Sequence, residues 1–222
     1  MYPYYALFRW RARGIDNFVS KKGWRVQFRE VESVLAHLIG VFPDKRPRFQ
    51  ARLKQLQRLK FPDGVNAGKT ARTDYRAEQI FKLALVLELL QAGITPERAI
   101  SFVKTWWLKI RRGIVQVRNE PRPISIVFWP KDFGGLTDAG DDEKLAWTSN
   151  GCALMTLDAA DERDLLETAA VLTAQPRTVI INLSRIWHEI INGGALPESG
   201  VAEINADVAA WESDPSLMEG VI

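Results

Sequence analysis

Residues 31 to 61 read VESVLAHLIGVFPDKRPRFQARLKQLQRLKF, two unlike helical patterns separated by a turn. In the first, Val31, Val34, Leu35, Leu38 and Ile39 fall on one face at helical spacing, and Gly40 stops the run. VFPDKRP then supplies a turn, and Pro47 suits the first turn of a second helix because its missing N–H would have no intrahelical partner there. In that second helix Phe49, Leu53, Leu56 and Leu59 or Phe61 face inward, while Arg48, Gln50, Arg52, Lys54, Gln55, Arg58 and Lys60 face outward. A short apolar helix, a tight turn and a helix with a cationic, amide-rich outer face have the form of a helix-turn-helix.

Downstream, Pro62 to Arg72 is polar and basic, with Gly64, Asn66 and Gly68 as turn residues, which predicts a β-hairpin wing whose Lys69 and Arg72 contact phosphate. The tripeptide Gly68-Lys69-Thr70 is not a nucleotide-binding loop: the earlier glycine would stand at position 63, where the residue is Asp63, and no buried strand leads into it. Residues 74 to 92 predict a helix with Ile80, Leu83, Val86, Leu87 and Leu90 as its apolar stripe and Gly93 as its stop. Thr95-Pro96-Glu97 starts another, with Thr95 as N-cap, running through Phe102, Val103, Trp106 and Trp107 to about Arg112. Glycine, prolines and charges between Arg111 and Pro123 then mark a boundary, dividing the chain into residues 1–118 and 119–222.

Charge follows that division. Residues 1–122 hold 25 Lys and Arg against 10 Asp and Glu, and residues 123–222 hold 5 against 17, so a net charge of +3 conceals halves of +15 and −12. Clustered cations release counterions from nucleic acid, so the first half predicts a polyanion-binding domain. Its first 28 residues mix Tyr2, Tyr4, Tyr5, Phe8, Trp10 and Trp24 with Arg and Lys, a segment expected to fold back on that domain. No run approaches the roughly 18 apolar residues of a membrane span, so the chain is expected to be cytoplasmic and nucleoid-associated.

The acidic half predicts a small α+β unit. Residues 124–130 and 145–157 read as strands, with Ser149-Asn150-Gly151 as a hairpin between two of them, Asp161 to Leu172 as a helix, and Thr178 to Ile181 as a buried strand. Leu183, Ile186, Trp187, Ile190 and Ile191 then switch to helical spacing until Gly193-Gly194, and the acidic tail from Pro197 holds a short helix around Val201 to Trp211 and a loose end. Catalytic patterns are not found. His188 and Glu189 are adjacent and point about 100° apart on a helix; Cys152 reads as a buried inert thiol; Asp138, Asp141, Asp142 and Glu143 lack the spacing of a calcium loop. One cysteine and two histidines give no zinc spacing, so no cofactor and no metal are expected.

The stretch from about 31 to 105 resembles the MerR family of winged-helix transcription factors. Arg72 and Tyr75 stand at the wing end, Ile80, Leu83, Val86 and Leu89 carry the helix spacing into Gly93, and Ile94, Thr95 and Ile100 complete the pattern. Arg52, Leu59 and Pro62 match places in the family's recognition helix, whereas Leu53 and Lys54 replace its aromatics, Gln55 its acid and Arg58 its glycine. The family's long dimerising coiled coil has no counterpart after Trp107. The resemblance implies a non-enzymatic, sequence-specific DNA-binding transcriptional regulator: a winged helix-turn-helix followed by a small α+β domain. Arg46, Arg48, Gln50, Arg52, Lys54, Gln55, Arg58, Lys69, Arg72 and Tyr75 are the expected contacts to double-stranded DNA, with Arg48, Arg52 and Gln55 toward base edges. A homodimer built through the C-terminal half is expected, and a protein partner or a small effector is the alternative occupant of that half. The alternative is an architectural or mobile-element accessory protein that uses the same winged helix in replication or recombination.

Overall fold

In a computed structural model the chain is described over residues 26–65, 75–120, 122–128, 152–156 and 178–217. Helix α1 (Phe28–Ile39) begins where the Glu30 carboxylate accepts the backbone N–H of Gln27 at 2.8 Å. It ends on Gly40, whose φ of 72° lets the Val41 N–H turn back to the Ala36 carbonyl at 2.8 Å. A 3₁₀ turn (Pro43–Lys45) leads directly into α2 (Arg46–Arg58). Phe49, Leu53 and Leu56 of α2 are buried in the same core as Val31, Val34 and Leu35 of α1. Lys60 ends α2 at a φ of 57°, the left-handed conformation usually left to glycine, and sends the Phe61 N–H to the Leu56 carbonyl. Phe61 is thereby buried, and Leu59 is the exposed member of the pair that the sequence left open.

Helix α3 (Ala77–Gln91) is the centre of the molecule. The sequence predicts an apolar stripe, but every residue from Ile80 to Leu87 is buried, because α1, α4 (Pro96–Thr105) and α7 (Glu198–Glu212) all pack around it. Even Lys82 is enclosed, paired with Glu78 at 2.5 Å and lying 4.9 Å over the Trp107 ring. Thr95 holds the N-cap position of α4 without a side-chain hydrogen bond.

The helix predicted to run from Pro96 to about Arg112 is two helices. Trp106, at φ −97° and ψ 10°, breaks it, and α5 runs from Trp107 to Asn119. The break lets α4 pack on α3 while α5 turns against the sheet and α6 (Leu183–Asn192). Gly113, read from the sequence as part of a boundary, lies in mid-helix. A Cβ there would sit 2.6 Å from Leu154 Cδ2 and 2.8 Å from Leu183 Cδ1, so the missing side chain permits the close approach.

Strand β1 (Ile124–Phe128) is the middle of a three-stranded antiparallel sheet ordered β2-β1-β3, with β2 spanning Cys152–Thr156 and β3 Val179–Asn182. Ile126 is the register point, opposite Leu154 on one side and Ile181 on the other. All five β1 residues are buried, the polar Ser125 among them. Asn182 caps α6 by accepting the Arg185 N–H at 2.8 Å. The short helix predicted around Val201 to Trp211 is longer and docked: α7 has 15 residues, with Ile204, Val208 and Trp211 buried, and Leu217 beyond it is buried as well; of the predicted loose end, residues 218–222 lie outside the described residues.

The architecture is α+β and mostly helical, with seven α-helices and one small sheet among the described residues. Buried residues before and after position 119 belong to one core. Phe81 stacks on Trp187 at 5.8 Å and meets Trp211 edge-on at 6.4 Å, and Phe102 lies 4.6 Å from Phe128. Opposite charges meet across the same junction, Arg111 with Asp214 at 2.7 Å and Arg118 with Glu212 at 3.1 Å, and His37 Nε2 lies 2.9 Å from the Glu189 carboxylate. Part of the charge difference between the halves is thus internal complementarity. The predicted folds of residues 1–25, the hairpin at 149–151, the acidic cluster at 138–143, the helix at 161–172 and the Cys152 side chain lie outside the described residues.

Candidate nucleic-acid interface

Helix α2 carries five cations and three glutamines and no acidic residue. At about 100° per residue, burial of Phe49, Leu53 and Leu56 directs Pro47, Ala51, Lys54 and Arg58 straight outward and sets Arg48, Arg52 and Gln55 along one flank. Arg48, Arg52, Lys54, Gln55 and Arg58 are all exposed. Arg52 donates to the Gln55 side chain at 3.3 Å, which aligns the two as one donor and acceptor surface. Among the described residues Arg48, Lys54 and Arg58 have no acidic partner. Gln50 is half-buried on the other flank.

Two predicted contacts are placed elsewhere. Tyr75 is 2% exposed, and its hydroxyl accepts a hydrogen bond from Gln57 Nε2 at 3.1 Å. Burial pushes its pKa above the ordinary tyrosine value, with the Gln57 bond opposing in part. Tyr75 therefore supports α2 from beneath and is a positioning residue, not a surface contact. Arg46 is turned toward the body of the protein, where its guanidinium meets the buried carboxylate of Glu32 at 3.0 Å.

Lys69 and Arg72 lie outside the described residues, but the chain on both sides of them is anchored. Before them, Asp63 pairs with Lys104 at 2.8 Å and stands 3.9 Å from Lys82, and its carbonyl accepts from Gln79 at 3.4 Å. After them, the Tyr75 N–H bonds to the Val26 carbonyl at 3.0 Å in an antiparallel bridge. The described residues on either side of 66–74 are thus anchored, Tyr75 to the segment that starts α1.

The sequence reading passed over Phe42, which the structure exposes at the head of α2. A phenylalanine beside a proline in a short polar turn was the available signal, since such a turn has no interior in which to bury it. His188 is exposed with Nδ1 4.0 Å from Glu189, whose carboxylate is engaged instead by His37 at 2.9 Å and by Arg185. Among the described residues no three His, Cys, Asp or Glu side chains converge as a metal site, and no helix is long and apolar enough to cross a membrane. Compared with protein-family models, curated proteins and solved structures, the chain matches none.

Proposed function

We propose that the protein belongs to the helix-turn-helix class of double-stranded DNA-binding proteins, with α2 as its reading helix. Within that class the sequence resemblance favours a transcriptional regulator of MerR type, with Pro62 to Arg72 as its wing. The observation that carries the reading is the outer surface of α2: Arg48, Arg52, Lys54, Gln55 and Arg58 are exposed on an acid-free helix held to α1 by Phe49, Leu53 and Leu56. Arginine and glutamine can each make paired hydrogen bonds to guanine or adenine edges, and the remaining cations suit phosphate.

The anchoring of residues 66–74 at Asp63 and Tyr75 supports a wing, because a phosphate-contacting loop gains from fixed ends. A regulator of this kind gains affinity by pairing two short half-sites, so the protein acts as a homodimer. The test is binding to labelled genomic fragments around its own gene across a salt series, beside an Arg48→Ala/Arg52→Ala variant. Tight binding to one fragment that survives competitor DNA and is lost in the variant supports a regulator. Weak binding to every fragment that vanishes steeply with salt overturns sequence reading and leaves charge alone.

A further inference from the structure

Phe42 is 73% exposed, against 37–45% for Leu59, Ile180 and Leu108, the other exposed large apolar residues described. Val41 beside it packs against the core; Phe42 has no place in that core and no aromatic neighbour among the described residues. Its position is fixed nonetheless. The backbone is extended at φ −63° and ψ 148°, Pro43 follows, and the Phe42 carbonyl accepts the Lys45 N–H at 2.9 Å, closing the 3₁₀ turn that runs into α2. The ring is therefore held in solvent at the N-terminal end of α2.

We propose that Phe42 recognises the 5-methyl group of a thymine in the major groove, a specificity contact that rests on the reading of α2 as a DNA-reading helix. The N-terminal end of a recognition helix is the end that meets base edges. A phenyl ring has no hydrogen-bonding group, and the apolar feature of the major-groove edge is the thymine methyl. The surroundings favour DNA over the apolar surface of a second protein: Lys45 is paired with Asp44 at 2.7 Å and Arg46 with Glu32 at 3.0 Å, but exposed Arg48 follows within six residues with no acidic partner among the described residues, and the positive end of the α2 dipole adds to it.

The experiment starts with full-length protein and a randomised duplex library, from which the tightest-binding duplex is selected. Each thymine in it is then replaced singly by deoxyuridine, which removes only the methyl group. Wild-type protein loses about three- to tenfold in affinity at one or two adjacent positions, the scale of one buried methyl group. Phe42→Ala binds the thymine and uracil duplexes equally, at the wild-type level for uracil, while Arg48→Ala binds more weakly but keeps the thymine preference. Thymine preference persisting in Phe42→Ala, or absent from wild type, overturns the role of Phe42 and leaves the DNA-reading helix standing. A library from which no duplex is enriched overturns both. A Phe42→Ala variant whose DNA-free oligomeric state differs from wild type, with thymine preference unchanged, assigns the ring to a protein contact instead.

Discussion

The Asp207 carboxylate on α7 accepts a hydrogen bond from the backbone N–H of Ala77 at 3.1 Å, so the first turn of α3 is capped from 130 residues away. Arg76 at the N-cap position has no side-chain oxygen to do this, although its own N–H is taken by Gln79. Asp207→Ala leaves a helix-terminal donor without its partner and lowers the unfolding free energy by about 1 kcal/mol. Asp207→Asn, still an acceptor, retains most of it. Urea titrations of the three proteins measure this, and equal losses in both variants would show that the charge matters more than the cap.

Gly113 gives a second prediction at the same junction. Gly113→Val places a branched side chain where Leu154 and Leu183 already stand within 3 Å of the first carbon. Overpacking of this kind costs about 1–3 kcal/mol, and α5 cannot withdraw without separating from β1 and α6. Thermal unfolding of the variant is expected at lower temperature; an unchanged midpoint would mean that the two leucines can rotate away.

These two sites show what the sequence could and could not convey. Spacing located α1, α2, α3 and α6 and the strands of the described sheet, because each has an apolar pattern of its own. Trp106 and Gly113 were read the wrong way: a break between two helices looks like continuation when both flanks are apolar, and a glycine required by a neighbouring sheet looks like a stop. The docking of α7 was hidden because its acidic residues suggested solvent, whereas Glu212 and Asp207 face partners on α5 and α3. On α2, residue type announced the exposed cations. The withdrawal of Arg46 and Tyr75 depends on Glu32 and Gln57, and no local pattern ties either pair together.

Glu88 on α3 is half-buried with no cation paired to it among the described residues, and burial pushes its carboxyl above the ordinary glutamate pKa. The folded protein therefore binds this proton more tightly than the unfolded chain. The contribution to stability is fully present below the unfolded-state value and is lost as pH rises through the folded-state value. Glu88→Gln stays uncharged and should escape the loss. Its unfolding free energy relative to wild type is expected to be larger at pH 7 than at pH 4. A difference that is constant or reversed between the two would show that the wild-type carboxylate finds a counter-charge.

Arg46 and Lys54 sit on one helix, yet the structure assigns them different consequences. Arg46→Ala leaves the Glu32 carboxylate, 7% exposed, without the guanidinium that lies 3.0 Å away. Loss of about 2 kcal/mol of stability is expected, because a buried charge deprived of its partner retains its desolvation cost. Arg46→Ala/Glu32→Gln should recover part of that loss. Lys54 is exposed with no acidic partner among the described residues, so Lys54→Ala should leave stability within about 0.5 kcal/mol. On the proposed function, the same change lowers the slope of log affinity against log salt by about 1, one phosphate contact fewer. Urea titration and a salt series on both variants separate the two roles. A stability loss confined to Lys54→Ala, or a salt slope altered only by Arg46→Ala, would invert the assignment and place the DNA contact on the opposite flank of α2.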